Sequence, residues 1–401
     1  MKNLIAGVFV VVTAACSSHT GTPRAPDSAA DISHSAIMQQ IKDKSYIGLT
    51  TAEKSALVKS HSRAFQTLNE KVRDPYITKG PDDYYYLTGT TAGSHWGETI
   101  GIRLWRSRDF AEWEDLGFVW DLYKDGKQNN TWHFEQKIRN PQFKNPRAIW
   151  APEIHYMNGT WWIPHCMNIN GHGLLRSVSG KPEGPYEALP PIKRDLIDAH
   201  IYQEDGRTYY MWQADYFAEM NADMTALIEE PIRLQHDGNH EMAYEGILLM
   251  KVGDKYLFIG SGRYGYEPTN TYDLFYGVSK NIRGPYGKRR MMIKNAGHGN
   301  LIQGPNGKWW ATAFDHDYTT KIDKKNVWSP WLVPIEIIEK EDDVLIHVKD
   351  ERFRPTQEDH DFIKKLSVTG KPKEWYDVPP WTQPDQLEEA RERRKNKRNN
   401  H

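Results

Sequence analysis

The chain has 401 residues, with 52 basic and 53 acidic side chains and a formal net charge of −1. This balance argues against nucleic acid as the main partner, because surfaces that bind nucleic acid carry an excess of Lys and Arg. The length allows two medium domains or one large all-β domain. Aromatic residues are abundant, with 15 Trp and 21 Tyr, and aromatic side chains are enriched in strands.

Residues 1–16 are typical of an export signal. Lys2 precedes an apolar run from Leu4 to Ala15, which is too short to span a bilayer. The small residues before Cys16 resemble a bacterial lipoprotein signal, with Cys16 as the lipidated residue. We therefore expect an exported protein in the periplasm or on the cell surface, with a lipid anchor as its only membrane contact. Cys166 is then the remaining thiol and is expected to be a small buried hydrophobe.

A flexible tether and a helical extension are expected next. Residues 17–35 are rich in Ser, Thr, Pro, Ala and Asp and lack an apolar period, which predicts a disordered tether. Residues 36–71 are predicted to be helical, because Thr50 and Glu53 form a capping box before an apolar face that includes Leu57. This extension either packs on the outside of the following β domain or binds a partner.

Residues 72–353 are predicted to form a five-bladed β-propeller. A strand–turn–strand phrase recurs five times, and each second strand opens on an aromatic residue. The positions eleven residues before these aromatic residues are Asp74, Trp150, Asp198, Glu245 and His298. The last four are 48, 47 and 53 residues apart, and a period near fifty with four short strands is typical of propeller blades. The first interval is longer, which predicts a loop over residues 124–145. Residues 354–401 are expected to be an irregular tail.

Equivalent positions of a closed repeat converge on one axis, so three carboxylates are expected to face each other there. They belong to Asp74, Asp198 and Glu245. Their mutual repulsion is expected to raise the pKa of at least one of them, as a general acid requires near neutral pH. Hydrolysis of a glycosidic bond uses such a carboxyl pair. Each carboxylate taken alone also has an ordinary structural explanation, as a turn cap, a strand end or half of a surface ion pair.

Five phrases in order resemble glycoside hydrolase family 43, whose members are five-bladed propeller glycosidases. They are Arg-Asp-Pro-Tyr at 73–76, Trp-Ala-Pro-Glu at 150–153, Ile-Asp at 197–198, Tyr-Glu-Gly-Ile at 244–247 and Gly-His-Gly at 297–299. The resemblance covers residues 72–348. It implies an inverting enzyme in which Asp74 is the general base, Glu245 is the general acid, and Asp198 orients the acid and tunes its pKa.

The resemblance also assigns binding residues. Trp150 is expected to be a wall of the sugar subsite, and His298 matches a central histidine that in some members organises a calcium ion or water on the axis. No cofactor is expected to be required. Three further residues are candidate substrate contacts because of their positions near the ends of predicted strands: Glu153, His200 and Arg263. We find no Cys and His spacing typical of a zinc site.

Two departures leave the substrate open. Glu153 stands where the family usually has Asp, and Ile247 stands where it usually has Pro. We therefore expect an exo-acting hydrolase of oligosaccharides from plant or algal polysaccharides, with the sugar unassigned. Two alternatives stay open. One is an anhydrogalactosidase-type enzyme of family 117 with a His acid, which fits the N-terminal helices and the many His residues. The other is a non-catalytic carbohydrate-binding lipoprotein.

Overall fold

The computed structural model describes residues 29–42, 46–91, 99–135, 147–168, 171–238, 242–243, 245–263, 272–314 and 329–369. Residues 1–43 and 44–401 form two compact units. In the first unit, helix α1 covers Ala29–Lys42. The second unit begins with helix α2 (Thr51–Ser60) and the short strand β1 (Phe65–Gln66). No helix in these ranges is long and apolar enough to cross a membrane.

Five antiparallel sheets follow, one for each predicted blade. Blade 1 contains β2 (Arg73–Lys79), β3 (Tyr85–Thr90), β4 (Gly101–Ser107) and β5 (Glu114–Asp121). Blade 2 contains β6 (Ile149–Trp150), β7 (His155–Met157), β8 (Thr160–Met167), β9 (His172–Ser177) and β10 (Tyr186–Ala188). Blade 3 contains β11 (His200–Glu204), β12 (Arg207–Trp212), β13 (Tyr216–Glu219) and β14 (Ile232–Arg233).

Blade 4 contains β15 (Glu245–Val252), β16 (Lys255–Arg263), β17 (Tyr272–Ser279) and β18 (Arg290–Ile293). Blade 5 contains β19 (Leu301–Gln303), β20 (Trp309–Ala313), β21 (Trp331–Glu339) and β22 (Val344–Val348), and β1 joins its edge. Helix α3 covers Gln357–Thr369. The predicted five-bladed propeller is confirmed. In the long connection between blades 1 and 2, the described part holds a π-helical segment (Leu122–Lys127) and a 3₁₀ turn (Trp132–Phe134).

The N-terminal extension differs from the predicted helical stretch. Phe65 and Gln66 form a strand that pairs antiparallel with Leu332 and Trp331 of β21. Ala64 and Phe65 are fully buried, so the apolar residues that indicated a helix face fill the edge of blade 5 instead. The chain therefore adds an N-terminal strand to its last blade, which closes the ring by backbone pairing rather than by helix packing.

The helix boundaries also differ from the expectations. Helix α1 begins at Ala29, inside the predicted tether. Helix α3 lies in the stretch predicted to be irregular, where Thr356 and Asp359 cap each other reciprocally with bonds of 2.7 and 3.2 Å. The buried Ile363 joins the hydrophobic core of blades 3 and 4. Sequence periodicity missed this helix because its apolar face is short.

Side chains between adjacent blades form the core. The buried Trp161 of blade 2 packs edge-on against Tyr86 of blade 1, with ring centroids 4.8 Å apart. Trp310 of blade 5 packs in the same way against Phe110 of blade 1, at 6.5 Å, and within its own blade against Phe65 of β1, at 5.8 Å. Edge-to-face pairs of this kind add to the burial of apolar area, so the large rings fix the spacing of the blades.

A polar junction joins blade 5 to blade 1. Asn300 lies just before β19, and its side chain accepts a hydrogen bond from Ile77 N at 3.0 Å and donates one to Ile77 O at 2.8 Å. Thr312 of β20 donates its hydroxyl to Pro75 O at 2.6 Å. These buried bonds satisfy backbone groups of β2, so they join the inner part of blade 5 to blade 1.

We expect Asn300→Ala to lower the free energy of unfolding by about 2–4 kcal/mol, because both buried groups of Ile77 lose their partner. Urea denaturation measures this change. Asn281→Ala is the matched control, since Asn281 caps an exposed turn within blade 4 through one bond to Arg283 N of 2.9 Å. Equal losses in the two variants would show that the junction does not stabilise the ring.

Candidate active site

The inner strands of all five blades open on a residue in the left-handed conformation. The five φ angles are 52° at Asp74, 41° at Ala151, 56° at Asp198, 65° at Gly246 and 68° at Gly297. Each residue lies at a predicted anchor position or one residue from it. The register of β2 also shifts after Arg73 and that of β15 after Glu245, and such bulges redirect side chains. The left-handed backbone conformation thus changes the direction of the chain at or next to each of the five anchor positions.

Three anchors meet around His298. Its Nδ1 atom lies 3.7 Å from Asp74 Oδ1 and 3.7 Å from Asp198 Oδ2. The backbone N–H of Gly246, the residue after Glu245, donates to Asp198 Oδ2 at 3.0 Å, so the chain at Glu245 adjoins this cluster. The structure thus brings Asp74, Asp198 and His298 together, with Glu245 next to them in the chain of blade 4.

Asp74 is held by a chain of hydrogen bonds that spans two blades. The hydroxyl of Thr90, at the end of β3, donates to Asp74 Oδ2 at 2.7 Å. The same hydroxyl accepts a bond from Ala151 N of blade 2, also at 2.7 Å. Sequence analysis did not identify Thr90, although its place opposite Arg73 in the β2–β3 register is the signal that points to it.

Asp198 is a buried carboxyl of this cluster with a raised pKa. Burial, followed by the charges of Glu245 and Asp74, raises its pKa well above the usual range, and the N–H of Gly246 opposes the shift by donating to Oδ2 at 3.0 Å. The thiol of Cys166 lies 3.8 Å from Oδ1. Burial also raises the pKa of Cys166, which agrees with the expected buried, unreactive thiol. The expected pKa rise is thus found on Asp198.

Glu245 and His298 are each fixed by a neighbour. The hydroxyl of Tyr272, in β17, donates a short hydrogen bond to Glu245 Oε1. Sequence analysis did not identify Tyr272, which pairs with Arg263 across the sheet. The ring of His298 packs on Gly246, where an added Cβ atom would lie 2.9 Å from the ring. Burial lowers the pKa of His298, so its imidazole is neutral near pH 7.

A second buried polar cluster lies beside the first. Glu153 Oε2 is 2.7 Å from His155 Nε2 and 2.7 Å from His200 Nδ1. The ring of Tyr76 packs against that of His155 in a tilted arrangement, with centroids 4.9 Å apart. Burial alone would raise the pKa of Glu153, but His200 and His155 lower it to about 2. Glu153 and His200 were predicted as substrate contacts, and the structure places both in this cluster with exposures of 3% and 2%.

The other predicted residues have simpler positions. Trp150 is 8% exposed and packs with Cys166 and Ile197. Arg263 is the last residue of β16, and its side chain lies outside the described part of the chain. Cys16 also lies outside the described residues.

We expect Asp198→Asn to stabilise the protein increasingly as pH rises. The folded-state pKa of Asp198 is raised above its unfolded value of about 3.9. The stability that its protonation contributes is therefore complete below pH 4 and is lost as pH rises through the folded-state pKa. Asn carries no charge, accepts the Gly246 bond and tolerates the left-handed conformation. Urea denaturation should give equal stabilities near pH 4 and a gain of roughly 1–3 kcal/mol at pH 8.

Asp205→Asn is the matched control. Asp205 is also left-handed, with φ of 50°, but lies in an exposed turn. Its stability difference from the wild type should not change with pH. A gain for Asp198→Asn that is the same at pH 4 and pH 8 would contradict the interpretation of Asp198.

The sequence was compared with protein families and with characterised proteins. Residues 67–329 match the family described as glycosyl hydrolases family 43. An extracellular exo-α-(1→5)-L-arabinofuranosidase of Cellvibrio japonicus is 23% identical over 284 residues, which cover 62% of this chain and 75% of that protein. A β-xylosidase of Formosa agariphila is 25% identical over 283 residues, 61% of this chain, but the match spans only 44% of that longer protein.

The fold comparison points the same way. The structure of a family 43 enzyme from Xanthomonas citri, solved with xylose, matches with a TM-score of 0.54 and 16% identity, over 76% of this chain and 98% of the other. The chain belongs to glycoside hydrolase family 43, and it is a glycoside hydrolase with a five-bladed propeller. The resemblance noted in the sequence is confirmed, and the match selects family 43 over family 117.

Proposed function

We propose that this protein is an exported, inverting, exo-acting glycosidase that uses Asp74 as general base and Glu245 as general acid. The observation that supports it best is the convergence of Asp74, Asp198 and His298, with Nδ1 of His298 3.7 Å from both carboxylates. The charge of Glu245 acts on the same cluster. A buried group of carboxylates at the opening of the inner strands has the composition that glycosidic hydrolysis requires.

The base is oriented by its hydrogen bonds. Thr90 donates to Oδ2 of Asp74, so Oδ1 is the oxygen on which a water molecule would be positioned for attack on the anomeric carbon. The neutral imidazole of His298 lies on that side and can hold the same water by hydrogen bonding. In an inverting enzyme, the base and the acid stand about 6.5–9.5 Å apart to accommodate this water.

The acid is Glu245, which gives its proton to the leaving oxygen. Asp198, Asp74 and Glu245 interact electrostatically and therefore share protons as one set. Burial and the charges of Glu245 and Asp74 raise the pKa of Asp198, which favours retention of a proton within this set. Tyr272 orients Glu245 through its hydroxyl. Asp198 and Tyr272 thus act as positioning residues for the acid.

The substrate that we propose is an oligosaccharide containing arabinose or xylose, cleaved from one end. This follows the names of the relatives in C. japonicus and F. agariphila. Export is proposed from the signal-like residues 1–16 and from the extracellular location in the name of the C. japonicus relative. Trp150 and Arg263 are proposed as subsite residues, and algal oligosaccharides belong in the substrate panel because Glu153 and Ile247 depart from the family pattern.

A calcium ion on the axis would be held by His298 and by the carboxylates beside it. Calcium takes six to eight oxygen ligands. The structure places Asp74 Oδ1 and Asp198 Oδ2 each 3.7 Å from His298 Nδ1, whereas Glu153 is bonded to His155 and His200. The remaining ligands would have to be water, and no step of the proposed mechanism is assigned to calcium.

We expect Asp74→Asn and Glu245→Gln each to lower kcat by about 10²–10⁴-fold, the usual contribution of a general base or acid. Release of reducing sugar from a panel of arabino-, xylo- and algal oligosaccharides measures this loss, and NMR of the first product gives the anomeric configuration. Asn tolerates the left-handed conformation at position 74, so the change removes charge without adding backbone strain.

Two variants control for charge removal elsewhere. Asp83→Asn lies in an exposed turn of blade 1 with φ of 64°, and Glu341 is exposed in blade 5, so Asp83→Asn and Glu341→Gln should keep full activity. Full activity of Glu245→Gln would exclude Glu245 as the acid and favour a His acid. A wild type that binds a glycan of the panel but releases no sugar would favour the non-catalytic alternative.

Lipid anchoring through Cys16 has its own test. In a bacterial host, the wild type should fractionate with the membranes, and Cys16→Ser should appear in soluble fractions or stay unprocessed, because the thiol is the acylation site. Cys166→Ser is the control, since Cys166 is buried within blade 2. Equal fractionation of the wild type and Cys16→Ser would exclude the anchor.

A further inference from the structure

Glu153, His155 and His200 form a cluster of metal-ligand side chains for which the proposed hydrolysis has no use. Their ligand atoms all lie within 4.8 Å of one another. Both imidazole contacts go to one oxygen, Oε2 of Glu153, at 2.7 Å. Two imidazole nitrogens and a carboxylate oxygen this close together could bind one metal ion once both nitrogens are deprotonated.

The scaffold holds these three residues in place. His155 opens β7 and His200 opens β11, so the cluster joins blades 2 and 3. The backbone N–H of Glu153 donates to Pro164 O of β8 at 3.0 Å. Tyr76, from blade 1, packs its ring at a tilt, 4.9 Å from His155 and 6.3 Å from His200. Strand ends and a packed ring preorganise the ligands.

Hydrogen bonds alone do not satisfy this cluster. The side chains of Glu153, His155 and His200 are only 4%, 7% and 3% exposed. Within the described residues, Nε2 of His200 is buried and has no hydrogen-bond partner. Burying a carboxylate and two imidazoles without full satisfaction is costly. A cation bound to all three offsets that cost and also reduces the negative charge that Glu153, Asp74 and Asp198 concentrate near the axis.

We propose that Glu153, His155 and His200 bind a divalent transition-metal ion, with Zn²⁺ as the expected ion. Two imidazole nitrogens and one carboxylate oxygen suit zinc, whereas calcium and magnesium prefer oxygen. Two His and one Glu leave a fourth position for water. The ion would bind residues of both blade 2 and blade 3, next to the carboxylate cluster, and is thus expected to stabilise the fold. Unlike a calcium ion held by His298 through water, this ion has three direct protein ligands.

Metal content tests the proposal independently of any hydrolysis. The full chain is prepared without a polyhistidine tag, treated with chelator, incubated with equimolar Zn²⁺ or Ca²⁺ and passed through a desalting column. Mass spectrometry of the metals should find about one zinc and no calcium per chain. Zinc, but not calcium, should raise Tm by about 3–6 °C when in large excess over Kd.

Substitutions then locate the ion. Glu153→Gln and His200→Gln should each lower the bound zinc at least tenfold. His347→Gln is the matched control, because His347 lies exposed on β22, and it should keep the full zinc content. Equal zinc contents in Glu153→Gln, His200→Gln and the wild type would overturn the assignment.

A measurement on the wild type covers the case in which the cluster variants do not fold. Zinc-edge X-ray absorption should show a shell of nitrogen and oxygen at about 2.0–2.1 Å. Sulfur at about 2.3 Å would place the ion on a cysteine and overturn the proposal. A wild type that retains less than a fifth of an equivalent of zinc, or is stabilised equally by calcium, would also overturn it. None of these outcomes tests the proposed glycosidase activity, which is measured separately by the release of sugar.

Discussion

The left-handed residue at the opening of each inner strand is the constraint on which the rest of the site depends. Non-glycine residues rarely adopt this conformation, and it persists only where the surrounding structure enforces it. Here the closed ring enforces it at Asp74 and Asp198, whose φ angles are 52° and 56°. Turning the chain at these points brings carboxylates from different blades together. Two hydrogen bonds offset the repulsion between these carboxylates: the Gly246 N–H donates to Asp198 and the Thr90 hydroxyl donates to Asp74.

The ring is closed by two different interactions, and both are needed to hold the site. Strand β1 adds backbone pairing to blade 5, while Asn300 and Thr312 bond to unpaired backbone groups of blade 1. Because β2 carries Asp74, the second junction also fixes the proposed base. A propeller has no rigid centre, so the positions of its axial side chains depend on the seams between blades.

Two polar clusters with different chemistry lie side by side near the axis. The first, around His298, is rich in carboxylates and open to proton sharing, as hydrolysis requires. The second, formed by Glu153, His155 and His200, pairs one carboxylate with two imidazoles. The ring of Tyr76 from blade 1 packs against both imidazoles of this second cluster. Residues near the start of the inner strands therefore supply both the carboxylates of the proposed hydrolysis and the ligands of the proposed metal ion.

The sequence by itself determined the number of blades, the family and the register of Asp74, Asp198, Glu245 and His298, because repeated strands impose one period and equivalent positions must meet. It did not reveal that Phe65 and Gln66 form a strand, since the apolar pair Ala64 and Phe65 fits a helix or a strand edge equally well. Only the tertiary structure decided which partners the anchors have. Thr90 bonds to Asp74 across the β2–β3 pair and also to Ala151 of blade 2, and Tyr272 bonds to Glu245 within blade 4. Glu153 and His200 come from different blades, and no spacing along the chain encodes a contact between blades.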